Sequence, residues 1–127
     1  MTISERVDNI TDIKPRQRVA APPCPKSVKI ELTARCNFAC AFCASANKLR
    51  QKGDMDWDFY AKKLLPQLRA AGVEEVGMFF LGESFLLDWL PEAIAEAKRQ
   101  GFPYVFLTTN GAAATPEKMR AIILPIR

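Results

Sequence analysis

Histidine is absent from this sequence of 127 residues. Its absence excludes metal sites with imidazole ligands and any catalysis that uses histidine as acid or base. Long apolar runs are also missing, since the most apolar stretch, residues 76–90, is interrupted by Glu83 and Asp88 and is too short for the roughly 20 residues of a membrane span. The formal net charge of +4 is spread along the chain. We therefore expect no membrane span and no nucleic-acid partner.

A secretory signal is not visible either. The N-terminus carries Glu5, Asp8 and Asp12 where a signal peptide would have an apolar segment. Four cysteines in a chain without such a signal indicate a reducing, cytoplasmic environment, where closely spaced cysteines usually bind metal. The apolar fraction of 49% and the charged fraction of 25% are typical of one globular domain.

The pattern along the chain divides it into a proline-rich arm, residues 1–27, and a core, residues 28–127. Within the core, apolar runs alternate with stretches of helical periodicity. Strands are predicted at 28–32, 75–81 and 104–108, and helices at 56–72, 89–100 and from 115 onward. This β-α-β-α-β-α order predicts an α/β fold with parallel strands and right-handed crossovers.

Several local features within these elements can be predicted. Asp56 is the predicted N-cap of the first helix, and Pro66 should kink or break that helix. Residues 78–80 are expected in the core of the second strand. Thr115 is expected to cap the last helix, with Met119, Ile122 and Ile123 on its buried side.

The strongest signal is a loop with three cysteines directly after the first strand, Cys36, Cys40 and Cys43, in the spacing C-x3-C-x2-C. Thiolates are soft ligands that suit either zinc or an iron–sulfur cluster. A structural zinc site needs four closed ligands, and Cys24 in the arm is the only cysteine left for that place. We interpret Cys24 as an uninvolved thiol. Three thiolates favour a cubane cluster that keeps one iron open for a small-molecule ligand.

This loop resembles the signature of the radical S-adenosylmethionine (SAM) superfamily, in which an aromatic residue, here Phe42, precedes the last cysteine. The resemblance implies that Cys36, Cys40 and Cys43 hold a [4Fe–4S] cluster whose fourth iron is chelated by SAM. It also implies a one-electron reductant that drives cleavage of SAM to a 5′-deoxyadenosyl radical, which abstracts hydrogen from a substrate. Phe42 would meet the adenine of SAM.

Polar segments follow the other two strands, and parallel strands place such loops at one edge of the sheet. Gly82 and Glu83 resemble the family's GGE motif, which implies binding of the methionyl amino group of SAM, although Leu81 replaces the first glycine. Residues 109–111 resemble the family's TNG segment, with Asn110 as the implied contact to SAM. No side chain is assigned as a catalytic residue.

Family cores usually form a partial (β/α)6 barrel, whereas about three units are present in this sequence. We therefore expect a truncated radical SAM core. The resemblance implies a peptide or a small molecule as substrate. The alternative is a catalytically incompetent remnant, or a fragment that binds a metal only structurally.

Overall fold

The computed structural model describes residues 2, 4–5, 14–44 and 51–123. Its strands are β1 (Ser27–Lys29), β2 (Glu75–Gly77) and β3 (Tyr104–Phe106). Its helical elements are a 3₁₀ turn (Pro15–Gln17), a π-helical segment (Phe59–Leu64) that continues into α1 (Leu65–Ala70), a second 3₁₀ turn (Ser84–Leu86), α2 (Leu90–Arg99) and α3 (Pro116–Ile123). All strands are parallel in the order β1-β2-β3, which confirms the predicted α/β class.

The three strands are shorter than predicted, but their hydrogen bonding extends further. Val28, Val76 and Val105 lie in register across the sheet. Beyond the strand ends, the Ile30 N–H donates to the Gly77 carbonyl at 2.7 Å, and another bond of this kind joins Met78 to β3. Hydrogen bonding between neighbouring strands therefore continues one residue beyond the ends of β1 and β2, toward the loops at the C-terminal edge of the sheet.

As predicted, Asp56 caps the first helix, since its Oδ1 accepts a hydrogen bond from the Phe59 N–H at 2.8 Å. The break predicted at Pro66 takes the form of a change in hydrogen-bond pattern. The Leu65 N–H donates five residues back, to the Tyr60 carbonyl, whereas the Tyr60 N–H at the start of the helix donates four residues back, to the Asp56 carbonyl at 3.0 Å. α-Helical bonding resumes at Leu65, where α1 begins. The wider π-helical turn ends directly before a residue that has no N–H to donate.

The hydrophobic core lies between the sheet and the helices. Val76 and Met78 are fully buried beside Tyr60, whose hydroxyl donates to the Ala93 carbonyl at 2.8 Å. The remaining core side chains come from residues following β1 and from the helices, among them Ile30, Leu32, Leu65, Leu90 and Ala97. Within the described residues, no helix is long and apolar enough to cross a membrane.

Three predicted core positions are wrong, among them Phe79, which is half-buried and lies outside the core cluster. Phe80 is 60% exposed because the chain has already left β2 there; alternation would place it on the same side as Met78 only if the strand continued. Ile123 is 64% exposed, whereas Met119 and Ile122 pack against the core. One residue turns the helix by about 100°, which carries Ile123 off the packed face.

The sheet face opposite the core carries aromatic side chains. Phe79 and Phe106 meet edge to face with centroids 5.6 Å apart, and the Lys29 ammonium lies 5.4 Å from the Phe79 centroid. Gly77 lies beneath both rings, since a Cβ there would be 2.9 Å from each. Among the described elements, the helices pack against the other face, where their side chains form the core with Val76 and Met78.

Candidate functional site

The loops that follow the three strands meet at the C-terminal edge of the sheet. The Glu83 N–H donates to the Arg35 carbonyl at 2.8 Å, which joins the loop after β2 to the cysteine loop. The Glu83 carboxylate in turn accepts hydrogen bonds from the Thr109 hydroxyl and the Asn110 N–H, both at 2.8 Å. The structure therefore brings together the three segments that the sequence predicted to share one edge.

Gly82 lies where two of these backbones cross. A Cβ at this position would be 1.9 Å from the Thr33 carbonyl oxygen and 2.9 Å from the Arg35 carbonyl oxygen. Real Cβ atoms do not approach backbone that closely, so only glycine fits. The residue therefore sets the spacing between the loop after β2 and the cysteine loop.

Glu83 is only 2% exposed, which is unusual for a carboxylate. Its Oε1 accepts from the Phe85 N–H at 3.0 Å and from the Thr109 hydroxyl, and its Oε2 accepts from the Asn110 N–H. Hydrogen bonds from buried donors compensate the loss of hydration that burial costs. Glu83 thus ties the loop after β3 to the loop after β2.

Cys36, Cys40 and Cys43 are half-buried and lie on one loop. A turn within it is closed by the Cys43 N–H, which donates to the Cys40 carbonyl at 3.0 Å. Phe42 lies in this turn and is 93% exposed. Cys24 is exposed in the arm, and its thiol contacts the Pro25 carbonyl at 3.7 Å.

The chemistry of this donor set fits an iron–sulfur cluster. The loop offers three sulfur ligands, none of which forms a disulfide, in a chain without histidine. In the part of the chain that the structure describes, no three Cys, Asp or Glu side chains are grouped around one point as ligands of a single ion. A cubane cluster spaces its three thiolates more widely than a single ion does, because each thiolate binds its own iron atom.

Asn110 extends from the loop after β3 toward the cysteine loop. Its Nδ2 donates to Asn37 Oδ1 at 2.9 Å and lies 3.9 Å from Cys36 Sγ. Its Oδ1 accepts from the Ala112 N–H at 3.0 Å, in a turn completed by Gly111 at φ +79°. The predicted residue Asn110 is therefore placed against the first cysteine of the triad.

A clamp at the base of the cysteine loop has no signal in the sequence. The Arg35 guanidinium donates to both carboxylate oxygens of Asp54, at 2.9 and 2.8 Å, and to the Leu86 carbonyl at 3.1 Å. The Thr33 hydroxyl donates to the same carboxylate at 2.6 Å. Asp54 lies 19 residues from Arg35, so sequence spacing alone carries no signal for this pair.

Acidification should release this clamp. The hydrogen bond from Arg35 holds the pKa of Asp54 below its ordinary value, with Thr33 contributing in the same direction. A lowered folded-state pKa stabilises the fold above the unfolded value of about 3.9 and loses that contribution as the pH falls further. In urea titrations from pH 6 to pH 3, Asp54→Asn should flatten the acid loss of stability seen in the unmodified chain.

A matched control for this prediction is Asp58→Asn. Asp58 is an exposed carboxylate that pairs with Lys62 at 2.9 Å, one helical turn along the chain. Exposed pairs of this kind contribute little to stability. An acid profile that changes as much with Asp58→Asn as with Asp54→Asn would contradict the clamp.

A parallel α/β fold with a three-cysteine loop at the C-terminal edge of its sheet defines a class of iron–sulfur proteins. The chain belongs to the radical SAM superfamily, whose family model matches residues 30–123.

Curated relatives agree with this assignment. The chain is 39% identical over 94 residues to a PqqA peptide cyclase of Xanthomonas oryzae pv. oryzae, covering 73% of the chain and 24% of the relative. It is 27% identical over 97 residues to the tungsten-containing aldehyde ferredoxin oxidoreductase cofactor-modifying protein of Pyrococcus furiosus, covering 76% of the chain and 27% of the relative. The chain thus spans about a quarter of the length of these relatives.

Among solved structures, the fold is similar to BtrN in complex with AdoMet and 2-DOIA, with a TM-score of 0.69. The match is 23% identical and covers 76% of the chain and 40% of BtrN. An open conformation of BtrN matches with a TM-score of 0.67 at 21% identity, over 82% of the chain and 46% of BtrN. These likenesses support the fold.

Proposed function

We propose that this chain is the cluster- and SAM-binding part of a radical SAM enzyme, and that Cys36, Cys40 and Cys43 hold its [4Fe–4S] cluster. The observation that carries the proposal is the direct hydrogen bonding of the cysteine loop to Glu83 and Asn110 at one edge of the sheet. In this proposal residues 1–27 form an arm and residues 28–127 form part of a radical SAM core. The protein is cytoplasmic, and Cys24 is not a cluster ligand.

The same edge would bind SAM. Glu83 Oε2 accepts one hydrogen bond from Asn110, and a carboxylate oxygen has room for a second donor such as the SAM ammonium group. Gly82 would present its backbone close to the ligand. Phe42 exposes its ring beside two of the cysteines and would pack against the adenine. The side chain of Asn110 would contact SAM from the loop after β3.

When bound, a reduced cluster would supply the electron for cleavage of SAM to the 5′-deoxyadenosyl radical. The residues of this chain bind and orient the reactants: the thiolates fix the cluster, and the loop after β2 fixes the methionyl end of SAM. We propose a peptide or a small molecule as the hydrogen donor. The PqqA peptide cyclase of Xanthomonas oryzae pv. oryzae shares more than a third of the aligned residues, and its name favours a peptide.

The test is anaerobic reconstitution with iron and sulfide, followed by reduction with dithionite in the presence of SAM. We expect about four irons and four sulfides per chain, as in one cubane cluster. We also expect 5′-deoxyadenosine, detected by liquid chromatography and mass spectrometry. A parallel reaction without reductant controls for hydrolysis of SAM.

The other outcomes separate the alternatives. A full complement of iron with neither SAM binding nor 5′-deoxyadenosine would contradict the enzymatic part and favour a remnant that only holds a cluster. Stoichiometric zinc with no iron would overturn the cluster itself. Equilibrium dialysis with labelled SAM distinguishes failure to bind SAM from failure to cleave it.

A further inference from the structure

We propose that the Asn110 side chain tunes the reduction potential of the cluster by donating a hydrogen bond to the Cys36 sulfur. The proposal rests on the proposed function, since it requires that Cys36 be a cluster ligand. In this proposal Asn110 acts on the cluster through one of its protein ligands, Cys36. This role is separate from any contact that Asn110 makes with SAM.

The orientation of the amide is fixed by its neighbours. The Ala112 N–H can only donate, so the group that faces it at 3.0 Å must be the amide oxygen. The Nδ2 group therefore faces the cysteine loop. There it meets Asn37 Oδ1 at 2.9 Å and Cys36 Sγ at 3.9 Å. An NH₂ group has two hydrogens, one for each of these acceptors.

The backbone of Asn110 is fixed as well. Its N–H donates to Glu83 Oε2 at 2.8 Å, and the buried Glu83 is joined to the cysteine loop through the Arg35 carbonyl. The hydroxyl of Thr109 donates to the same carboxylate and accepts from the Gly111 N–H at 3.0 Å. Hydrogen bonds before and at Asn110 thus fix the backbone that carries the amide donor. Glu83 links this loop to the cysteine loop, which carries the Cys36 sulfur.

A donor at this place has a defined electrostatic effect. Reduction adds negative charge to the cluster and its sulfur ligands, and an N–H dipole directed at a sulfur stabilises that charge. The hydrogen bond therefore favours the reduced form and raises the reduction potential. In the proposed function the reduced cluster would be the electron source for SAM cleavage, so Asn110 would set how much of the reduced form a given reductant supplies.

The experiment is a redox titration of the reconstituted chain without SAM, followed by electron paramagnetic resonance. Asn110→Leu keeps the size of the side chain but removes the donor. We expect its reduction equilibrium to become roughly two- to tenfold less favourable, where tenfold corresponds to 59 mV for one electron. Gln67→Leu is the matched control, because it makes the same amide-to-leucine change on an exposed part of α1 and should leave the potential unchanged.

Iron and sulfide contents separate the two proposals. A chain that assembles no cluster contradicts the proposed function, whatever Asn110 does. A cluster that assembles fully in Asn110→Leu, with the potential of the unmodified chain, overturns the present inference alone. If Asn110→Leu loses iron, Asn110→Ser provides the measurement, because serine can still accept from the Ala112 N–H but is too short to reach Cys36. The same lowering of the potential is then expected.

Discussion

Replacing Gly82 by alanine is expected to lower the free energy of unfolding by about 3 kcal/mol, the upper end of the usual range for overpacked positions. The added Cβ would be 1.9 Å from the Thr33 carbonyl oxygen and 2.8 Å from its carbonyl carbon. These atoms belong to backbone held in place by neighbouring contacts, so no side-chain rotation can relieve the clash. Urea unfolding of the chain without cluster, followed by circular dichroism, measures the effect.

The clash should also reach the candidate site. Separating the two loops would lengthen the 2.8 Å hydrogen bond from the Glu83 N–H to the Arg35 carbonyl, directly before the first cysteine. We therefore expect Gly82→Ala to bind less iron than the unmodified chain even under conditions where it remains folded. Retention of both stability and iron would contradict the close crossing of the loops.

Gly53→Ala is the control for this substitution. Gly53 has nothing within 4 Å of an added Cβ, and its φ angle is not in the positive region. Alanine at such a position restricts the unfolded chain and raises stability by up to about 1 kcal/mol. If Gly82→Ala lowers the free energy of unfolding and Gly53→Ala raises it, the loss at Gly82 comes from the contact with Thr33 and not from the replacement of glycine as such.

The sequence predicts much of this arrangement because its signals are local. Alternation of apolar runs and helical periods indicates parallel strands, and parallel strands place the residues after each strand at one edge. These two rules together place Cys36, Glu83 and Asn110 at one edge of the sheet without any knowledge of distances. The structure adds the hydrogen bonds that join their loops.

Other features depend on contacts that local patterns do not encode. Asp54 reads as an ordinary polar residue before a helix, yet it binds Arg35 through two hydrogen bonds. Phe80 continues an apolar run but is exposed, since the strand ends before it. The burial of Glu83 is likewise invisible in sequence, because it depends on donors from the Phe85 and Asn110 backbone.

Alanine substitution of Cys36, Cys40 or Cys43 is expected to have the second large effect, a loss of most of the iron bound by the reconstituted chain. A cubane with one open iron already lacks a fourth protein ligand, so removal of a further thiolate exposes a second iron to solvent. We expect iron to fall from about four per chain to less than about one. Colorimetric iron and sulfide assays measure it, and circular dichroism of the same samples tests whether the variants remain folded.

Cys24→Ala decides between the two metal chemistries that three clustered thiols allow. A tetrahedral zinc site needs a fourth ligand, and Cys24 is the only cysteine outside the triad in a chain without histidine. In a zinc protein of that kind, Cys24→Ala would weaken metal binding as strongly as Cys43→Ala. In a cluster with an open iron, Cys24→Ala should keep the full iron content, because SAM and not the protein takes the fourth position. Equal losses in the two variants would contradict the cluster, and a loss confined to the triad would support it.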